Sequence, residues 1–399
     1  MRYAKPNMFC YRLAQIVAWV ISTFIFRRKI VRNEIRGKKG PFVVIANHEA
    51  ALDFVNIIGT TSRPMHFVIS RSFYESLPVK GFMKKLGVIP KQQFQTSPKD
   101  LKQMKAIIDD GKIVVIYPAG LMCEDGLSTP IPAATYKFLK WLNADVYVAR
   151  STGSYFVMPK WAKGLRPGRT EIDIYKLFSR EELEKLDVET IRQRTNDAIL
   201  FDAYREQERL LARYTNNKDI RGLENVLYMC PHCGAEFAVE VTEKSTLRCV
   251  HCGYSATGDK YGFLHHGGIG EPFRYVSDWS KHIFQTLKAK IRENPEMTLS
   301  APTKIHMIDP KKDAFREVGQ GILRLDCEQF HLAGIIHGET TDLHISIGPL
   351  PTLPFTPGRH LEIQDGNTIY RCVLEDGRLA MKFINMVKIF FELKNEKNP

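Results

Sequence analysis

Apolar positions in residues 37–178 follow two alternating patterns. Residues 41–46, 65–69, 113–117 and 145–150 are short runs dominated by β-branched and aromatic side chains, the pattern of strands buried on both faces. Between them, residues 53–59, 80–86, 100–110 and 135–142 space their apolar side chains as helices do, and Gly111 supplies a stop after the third. Strands alternating with helices predict an α/β fold with a mostly parallel sheet covered on both faces. Chemistry in such a sheet collects at the carboxyl ends of the strands. Residues 179–218 are highly charged, and Ile191, Ile199, Leu200, Tyr204 and Leu211 predict one buried helical stripe.

Beyond residue 220 the pattern changes. Residues 276–292 predict an amphipathic helix with Trp279, Ile283, Phe284, Leu287 and Ile291 on one face, expected to pack on a core. Gly267-Gly268-Ile269-Gly270 has no predicted strand before it and no Gly-Lys-Ser/Thr after it, so it reads as linker rather than phosphate loop. Residues 304–308, 321–326, 329–333, 342–347, 360–363 and 368–374 predict short strands, split by turns such as Asp365-Gly366-Asn367. An amphipathic helix over 379–394 follows. Strands closed by one helix resemble a pleckstrin-homology or GRAM-type barrel. The expected divisions are 1–36, an N-terminal helix; 37–220, the α/β domain; 221–265, a cysteine-rich module; 266–298, linker and helix; and 299–399, a β-rich domain.

The module owes its definition to cysteine. Four of the eight cysteines stand as Cys230-Pro231-His232-Cys233-Gly234 and Cys249-Val250-His251-Cys252-Gly253, while Cys10, Cys123, Cys327 and Cys372 are scattered. This is no disulfide framework and points to a reducing compartment. Each pair sets two thiolates on a tight turn, and residues 236–241 alternate as a hairpin strand between them. Four thiolates complete a tetrahedral zinc site, so the pattern predicts a zinc ribbon. His232 and His251 are alternative ligands, but Cys230, Cys233, Cys249 and Cys252 form the simpler set. With every position taken by protein, the zinc is expected to be structural, a staple for a module too small for its own core.

A net charge of +13 suits an anionic membrane, phosphorylated substrates or nucleic acid. Arg27, Arg28, Lys29, Arg32, Arg36, Lys38 and Lys39 adjoin the uncharged, mostly apolar run 13–26, which is shorter than the ~20 residues that span a bilayer. Cations rather than a cleavage site follow the run, against a signal peptide. It therefore reads as a core helix or as a helix lying in the membrane surface, with Trp19 and the basic cluster at headgroup level. The second reading is the expectation, a peripheral or monotopic protein on a cytoplasmic membrane face. Glu236, Glu240 and Glu243 bring the ribbon close to neutral, which argues against nucleic acid as a partner.

Candidate chemistry begins where residues 41–46 end, at Asn47-His48, with Asp53 five residues past the histidine. A carboxylate-oriented imidazole is a general base at neutral pH. His337–Asp342 and His360–Asp365 share the spacing, so context decides: only His48 follows a buried-type strand with a helix behind it. Downstream stand Gly87-Val88-Ile89-Pro90-Lys91, then Tyr117-Pro118-Ala119-Gly120 after residues 113–116, then Val146-Tyr147-Val148-Ala149.

These four blocks, in this order over about residues 30–180, resemble the glycerolipid (lysophosphatidate-type) acyltransferase family. The resemblance implies transfer of a fatty acyl group from acyl-CoA or acyl-carrier protein to a hydroxyl of a lysophospholipid or glycerol-phosphate-type acceptor. It makes His48 the general base and Asp53 its orienting carboxylate. Lys91 becomes the cation for the acceptor's phosphate, and Tyr117, Pro118 and Gly120 become substrate contacts together with Asn47, whose main part is to fix the turn. Backbone amides over 118–121 become candidates for an acceptor or oxyanion pocket. Ala119 departs from the family's glutamate, with Glu124 and Asp125 nearby, and Gln92 and Gln93 stand where an arginine is common. A lipid-binding or scaffold relative without turnover is the alternative that Ala119 favours and the intact Asn-His…Asp opposes. A zinc-ribbon nucleic-acid binder is the other.

Overall fold

The computed structural model describes residues 3–76, 79–91, 97–309, 314–348, 350–366 and 368–397; Gln92, Gln93 and Asn367 lie outside them. The chain forms two compact units, Met1–Pro159 with Gly164–Asn216, and Lys160–Lys163 with Asn217–Pro399.

The first unit is built on β1 (Arg28–Asn33), β2 (Phe42–Ala46), β3 (Met65–Ser70), β4 (Ile89–Lys91), β5 (Ile113–Ile116), β6 (Asp145–Thr152) and β7 (Thr170–Phe178), in the order β1-β7-β6-β2-β5-β3-β4. From β6 to β4 all neighbours are parallel. β7 turns antiparallel to β6, and β1 lies parallel to β7. This is the expected mostly parallel sheet. Its helices are α1 (Met8–Phe24), α2 (Phe54–Ile58), α3 (Arg71–Ser76), α4 (Lys80–Lys85), α5 (Pro98–Asp109), α6 (Ala134–Leu142), α7 (Ser154–Val157), α8 (Arg180–Lys185), α9 (Val188–Ile199) and α10 (Ala203–Leu210). On one face of the sheet Met104, Ile107, Leu139, Leu142, Ile191 and Ile199 pack with Val43, Ile45, Val114, Val146 and Val148. Val44, Val115 and Tyr147 are also buried, so the central strands are apolar throughout.

Two expectations about this unit are corrected. Arg28–Asn33 is an edge strand, so much of the basic cluster is engaged by the fold. The Arg28 guanidinium donates to Asn56 O at 2.8 Å, Arg32 pairs with Asp173 over the Tyr175 ring, and Lys38 Nζ donates to Tyr147 Oη at 2.8 Å. Residues 179–218 are three helices rather than one stripe. The chain breaks at Leu200 and Leu211, which are exposed helix caps, while Ile191, Ile199 and Tyr204 are buried.

In the second unit β8 (Val239–Thr242), β9 (Thr246–Cys249), β10 (Ser255–Gly258) and β11 (Leu264–His266) form one sheet. A short strand therefore does precede Gly267. β12 (Leu299–Asp309), β13 (Ala314–Leu325), β14 (Gln329–Ile336), β15 (Glu339–Ser346), β16 (Phe355–Thr356), β17 (His360–Asp365) and β18 (Thr368–Leu374) form an antiparallel sheet in the order β15-β14-β13-β12-β18-β17-β16, so its first and last strands are neighbours. α12 (Leu379–Lys397) closes it, burying Phe383, Ile384, Val387 and Phe390. α11 (Val276–Glu293) buries Trp279, Ile283, Leu287 and Ile291, the expected core stripe. The ribbon shares this core: Trp279 Nε1 donates to Met229 O at 2.9 Å, Tyr254 packs edge-on against Trp279, and Arg378 donates to Phe237 O at 3.0 Å.

Candidate active site

β2 delivers His48 to the carboxyl edge of the sheet, and the turn that follows returns Asp53 beneath it. Asp53 Oδ2 accepts from Glu49 N at 2.7 Å and Ala50 N at 2.9 Å, and lies 3.1 Å from His48 Nδ1. The carboxylate is buried, whereas one fifth of the His48 side chain is open to solvent. If Nδ1–H donates to Asp53, Nε2 keeps a lone pair and can accept a proton. Tyr117, at the end of the neighbouring strand β5, lays its ring 4.5 Å from the imidazole. Its hydroxyl is buried without a hydrogen-bond partner, and burial with the nearby Asp53 charge pushes its pKa well up. The ring is thus a packing surface for His48 rather than an acid.

Asn47 fixes the turn. Its Nδ2 donates to Ser151 O and its Oδ1 accepts from Ser151 N, both at 2.7 Å, tying β2 to β6. The side chain is buried with its amide fully engaged, which makes it a positioning residue rather than a substrate contact. Pro118 and Ala119 are buried, and Gly120 N donates to Tyr117 O at 3.0 Å. Proline has no N–H, so an oxyanion role over 118–121 narrows to the amides of Ala119 and Leu121. Glu124 and Asp125, the acids nearest Ala119 in the chain, are buried.

Lys91 ends β4. Strand registers place it level with Asn47 along the edge, three strand spacings or about 14 Å away. Burial lowers its pKa, with Asp100 opposing. It can meet only a part of a substrate remote from His48.

Sequence reasoning missed Glu49. Its buried carboxyl accepts from Asn47 Nδ2 at 3.1 Å and Tyr155 N at 2.9 Å. Burial, Glu206 and Asp53 raise its pKa well above the usual range, with Tyr155 N and Arg150 opposing. Tyr155 and Ser151 lie a hundred positions downstream, beyond any local pattern. Cys123 is buried beside the same acids, and its thiol is pushed well up, as expected for an inert cysteine.

A second cluster lies in the other unit. The Sγ atoms of Cys230, Cys233, Cys249 and Cys252 all lie within 4.8 Å of one another, a set able to hold a metal ion. The two knuckles match: Gly234 N donates to Cys230 O and Gly253 N to Cys249 O, both at 3.0 Å. Each glycine sits at positive φ, +71° and +78°, where a side chain is strained. His232 and His251 do not join the cluster.

α1 presents a third feature. Tyr11, Ala18 and Ser22 face the protein, while Phe9, Leu13, Ile16, Val17, Val20 and Phe24 form an exposed apolar stripe, with Phe9 80% and Phe24 64% exposed. Among the described residues no helix is long and apolar enough to cross a membrane.

Residues 4–159, which carry this His–Asp turn at the carboxyl edge of the sheet, match the acyltransferase family model. The chain is 20% identical over 108 residues to the 1-acyl-sn-glycerol-3-phosphate acyltransferase of Bacillus subtilis (strain 168), covering 27% of this chain and 54% of that protein. It thus spans about half the length of that relative. The crystal structure of the 1-acyl-sn-glycerophosphate (LPA) acyltransferase PlsC from Thermotoga maritima overlaps 47% of this chain and 78% of its own, with TM-score 0.38 and 16% identity. The Ran binding domain of Nup2 from Ashbya gossypii overlaps 24% of this chain and 96% of its own, with TM-score 0.21 and 14% identity.

Proposed function

We propose that the first unit transfers a fatty acyl group from a thioester, acyl-CoA or acyl-carrier protein, to a hydroxyl of a lysophospholipid-type acceptor. The observation that carries this reading is His48 Nδ1 at 3.1 Å from buried Asp53 within the family-matched residues. His48 Nε2 takes the acceptor's hydroxyl proton as that oxygen attacks the thioester carbonyl. The tetrahedral intermediate collapses, the C–S bond breaks, and the imidazolium returns the proton to the leaving thiolate. Asp53 holds the ring and stabilises the imidazolium. Lys91 would bind the acceptor's phosphate at the far end of the edge. The name of the Bacillus subtilis relative supports a glycerophosphate-based acceptor, here a 1-acylglycerol-3-phosphate or a related lysophospholipid.

The exposed stripe of α1 supports attachment to the surface of an anionic membrane, which we assign to the cytoplasmic face. The four cysteines would hold a structural zinc. A tetrahedron with Zn–S of about 2.3 Å sets sulfurs about 3.8 Å apart, and two of the Sγ pairs stand at 3.6 and 3.7 Å.

The test supplies full-length protein with oleoyl-CoA and a panel of lysophospholipids in mixed micelles and follows diacyl product by mass spectrometry. His48→Ala should lower turnover about 10²–10⁴-fold at unchanged melting temperature and metal content. Wild-type turnover by that variant would refute the mechanism.

A further inference from the structure

We propose that the solvent-facing side of β14 and β15 is a second metal site, in which His331, Asp342 and His344 bind one divalent ion. The placement begins with a tight hairpin. His337 and Gly338 both have positive φ, 53° and 85°, the backbone of a two-residue turn whose twist fixes register. Counting back from it, His331 pairs directly with His344 and Ala333 with Asp342. Asp342 and His344 are two apart on one strand and so share that face. Leu332 and Ile345, of opposite parity, are buried in the core.

The three side chains converge. The imidazoles stack with ring centroids 4.5 Å apart and planes 14° from parallel. His331 Nε2 hydrogen-bonds to Asp342 Oδ1, and His344 Nε2 lies 3.5 Å from the same oxygen. All three donor atoms fall within 4.8 Å of one another. An ion about 2.0–2.2 Å from each requires the two imidazoles to turn out of their stack, so that both Nε2 lone pairs and the Asp342 carboxylate face it. Two imidazoles and one carboxylate suit Zn²⁺, Ni²⁺ or Co²⁺ rather than Ca²⁺ or Mg²⁺, which require an oxygen-rich set. Arg324 stands directly across from His331 on β13, so the site is not one that attracts cations by net negative charge. It depends on nitrogen donors held in place by the ladder. Because β15 is the edge of its sheet, a bound ion would clamp the outermost strand to its neighbour.

The probe is Ni²⁺ titrated by calorimetry into full-length protein whose metal content has first been measured, followed by elemental analysis. The expected result is one added equivalent of nickel per chain, with any metal in the four-cysteine site retained. His344→Ala and Asp342→Asn should each weaken binding at least about tenfold, since even partners of ligands alter affinity about 10–100-fold. Both positions are exposed, so melting should stay as in the wild type; Asp342→Asn keeps the shape of the side chain should His344→Ala fold poorly. With Co²⁺ as probe, the added site should lack the thiolate charge-transfer absorption of a cysteine site. Absence of added nickel, displacement of the resident metal, a thiolate band from the added ion, or unchanged affinity in the variants would each overturn the proposal.

Discussion

A single carboxylate oxygen organises the His48 turn. Asp53 Oδ2 faces two backbone amides and the imidazole at once. Asp53→Asn keeps an acceptor for those amides but removes the negative charge that stabilises an imidazolium. Turnover should therefore fall by about 10²–10⁴-fold in the oleoyl-transfer assay, with the melting temperature little changed. Glu49 sets a different test. Its folded pKa is raised above the ordinary 4.5, first by burial and then by Glu206 and Asp53. The folded state therefore binds this proton more tightly than the unfolded chain does. The stability Glu49 contributes is complete below pH 4.5 and is lost as pH rises through the raised value. The melting temperature of the wild type minus that of Glu49→Gln should accordingly decline as pH is raised from 4.5 towards neutrality. A flat or rising difference would contradict the assignment. His48 and Asp53 were legible because six consecutive residues contain the whole interaction. The Asn47–Ser151 and Glu49–Tyr155 contacts were not, since each joins residues more than a hundred positions apart.

Periodicity located the elements whose burial matches their pattern, and failed where the two part company. The central strands of the first sheet are apolar on both faces and were read within one or two residues. β1 was missed because Arg28, Lys29 and Arg32 give an edge strand the look of a charged linker, although their side chains find Asn56 O, Glu171 and Asp173. The His337-Gly338 hairpin was missed because its turn lies between strands predicted too short. α1 is the reverse case: its outward stripe is as apolar as a core helix and is exposed. Replacing Phe9, Ile16 and Phe24 together by serine should leave folding intact, because none of these side chains is buried in the protein. It should nevertheless cut binding to anionic vesicles severely, since each large apolar side chain taken into an apolar phase contributes about 1.5–3 kcal/mol. High salt should weaken wild-type binding much less than this triple change, because it screens Arg12 and Arg36 without altering the stripe. Sedimentation with vesicles, at low and high salt, measures both effects. Retained binding by the variant would move the anchor elsewhere.

Across the whole molecule, the alternation of strand and helix up to residue 178 and the run of short strands after 299 announced two different architectures. The cysteine spacing announced the four-thiol cluster that lies between them in the sequence. The packing of that cluster was not legible, because it depends on contacts from α11 and α12 that arrive late in the chain. The ribbon does not stand alone: Met229 O receives the Trp279 indole, Phe237 O receives Arg378, and Lys382 pairs with Glu236, all within the second unit. Metal binding to thiolates is coupled to folding of the loops that carry them. If the four thiolates hold the proposed zinc, its withdrawal frees the knuckles at Cys230 and Cys249 from each other, and the surface against which Trp279 and the start of α12 pack loosens with them. Chelation should therefore raise amide hydrogen exchange well beyond the ribbon, in α11 and α12 as well as in β8–β11. Residues 1–159 and 164–216 should exchange as before. Cys249→Ser should reproduce that pattern without chelator. Exchange confined to residues 230–253 would mean that the cluster staples only itself, and unchanged exchange throughout would mean that no metal holds this unit.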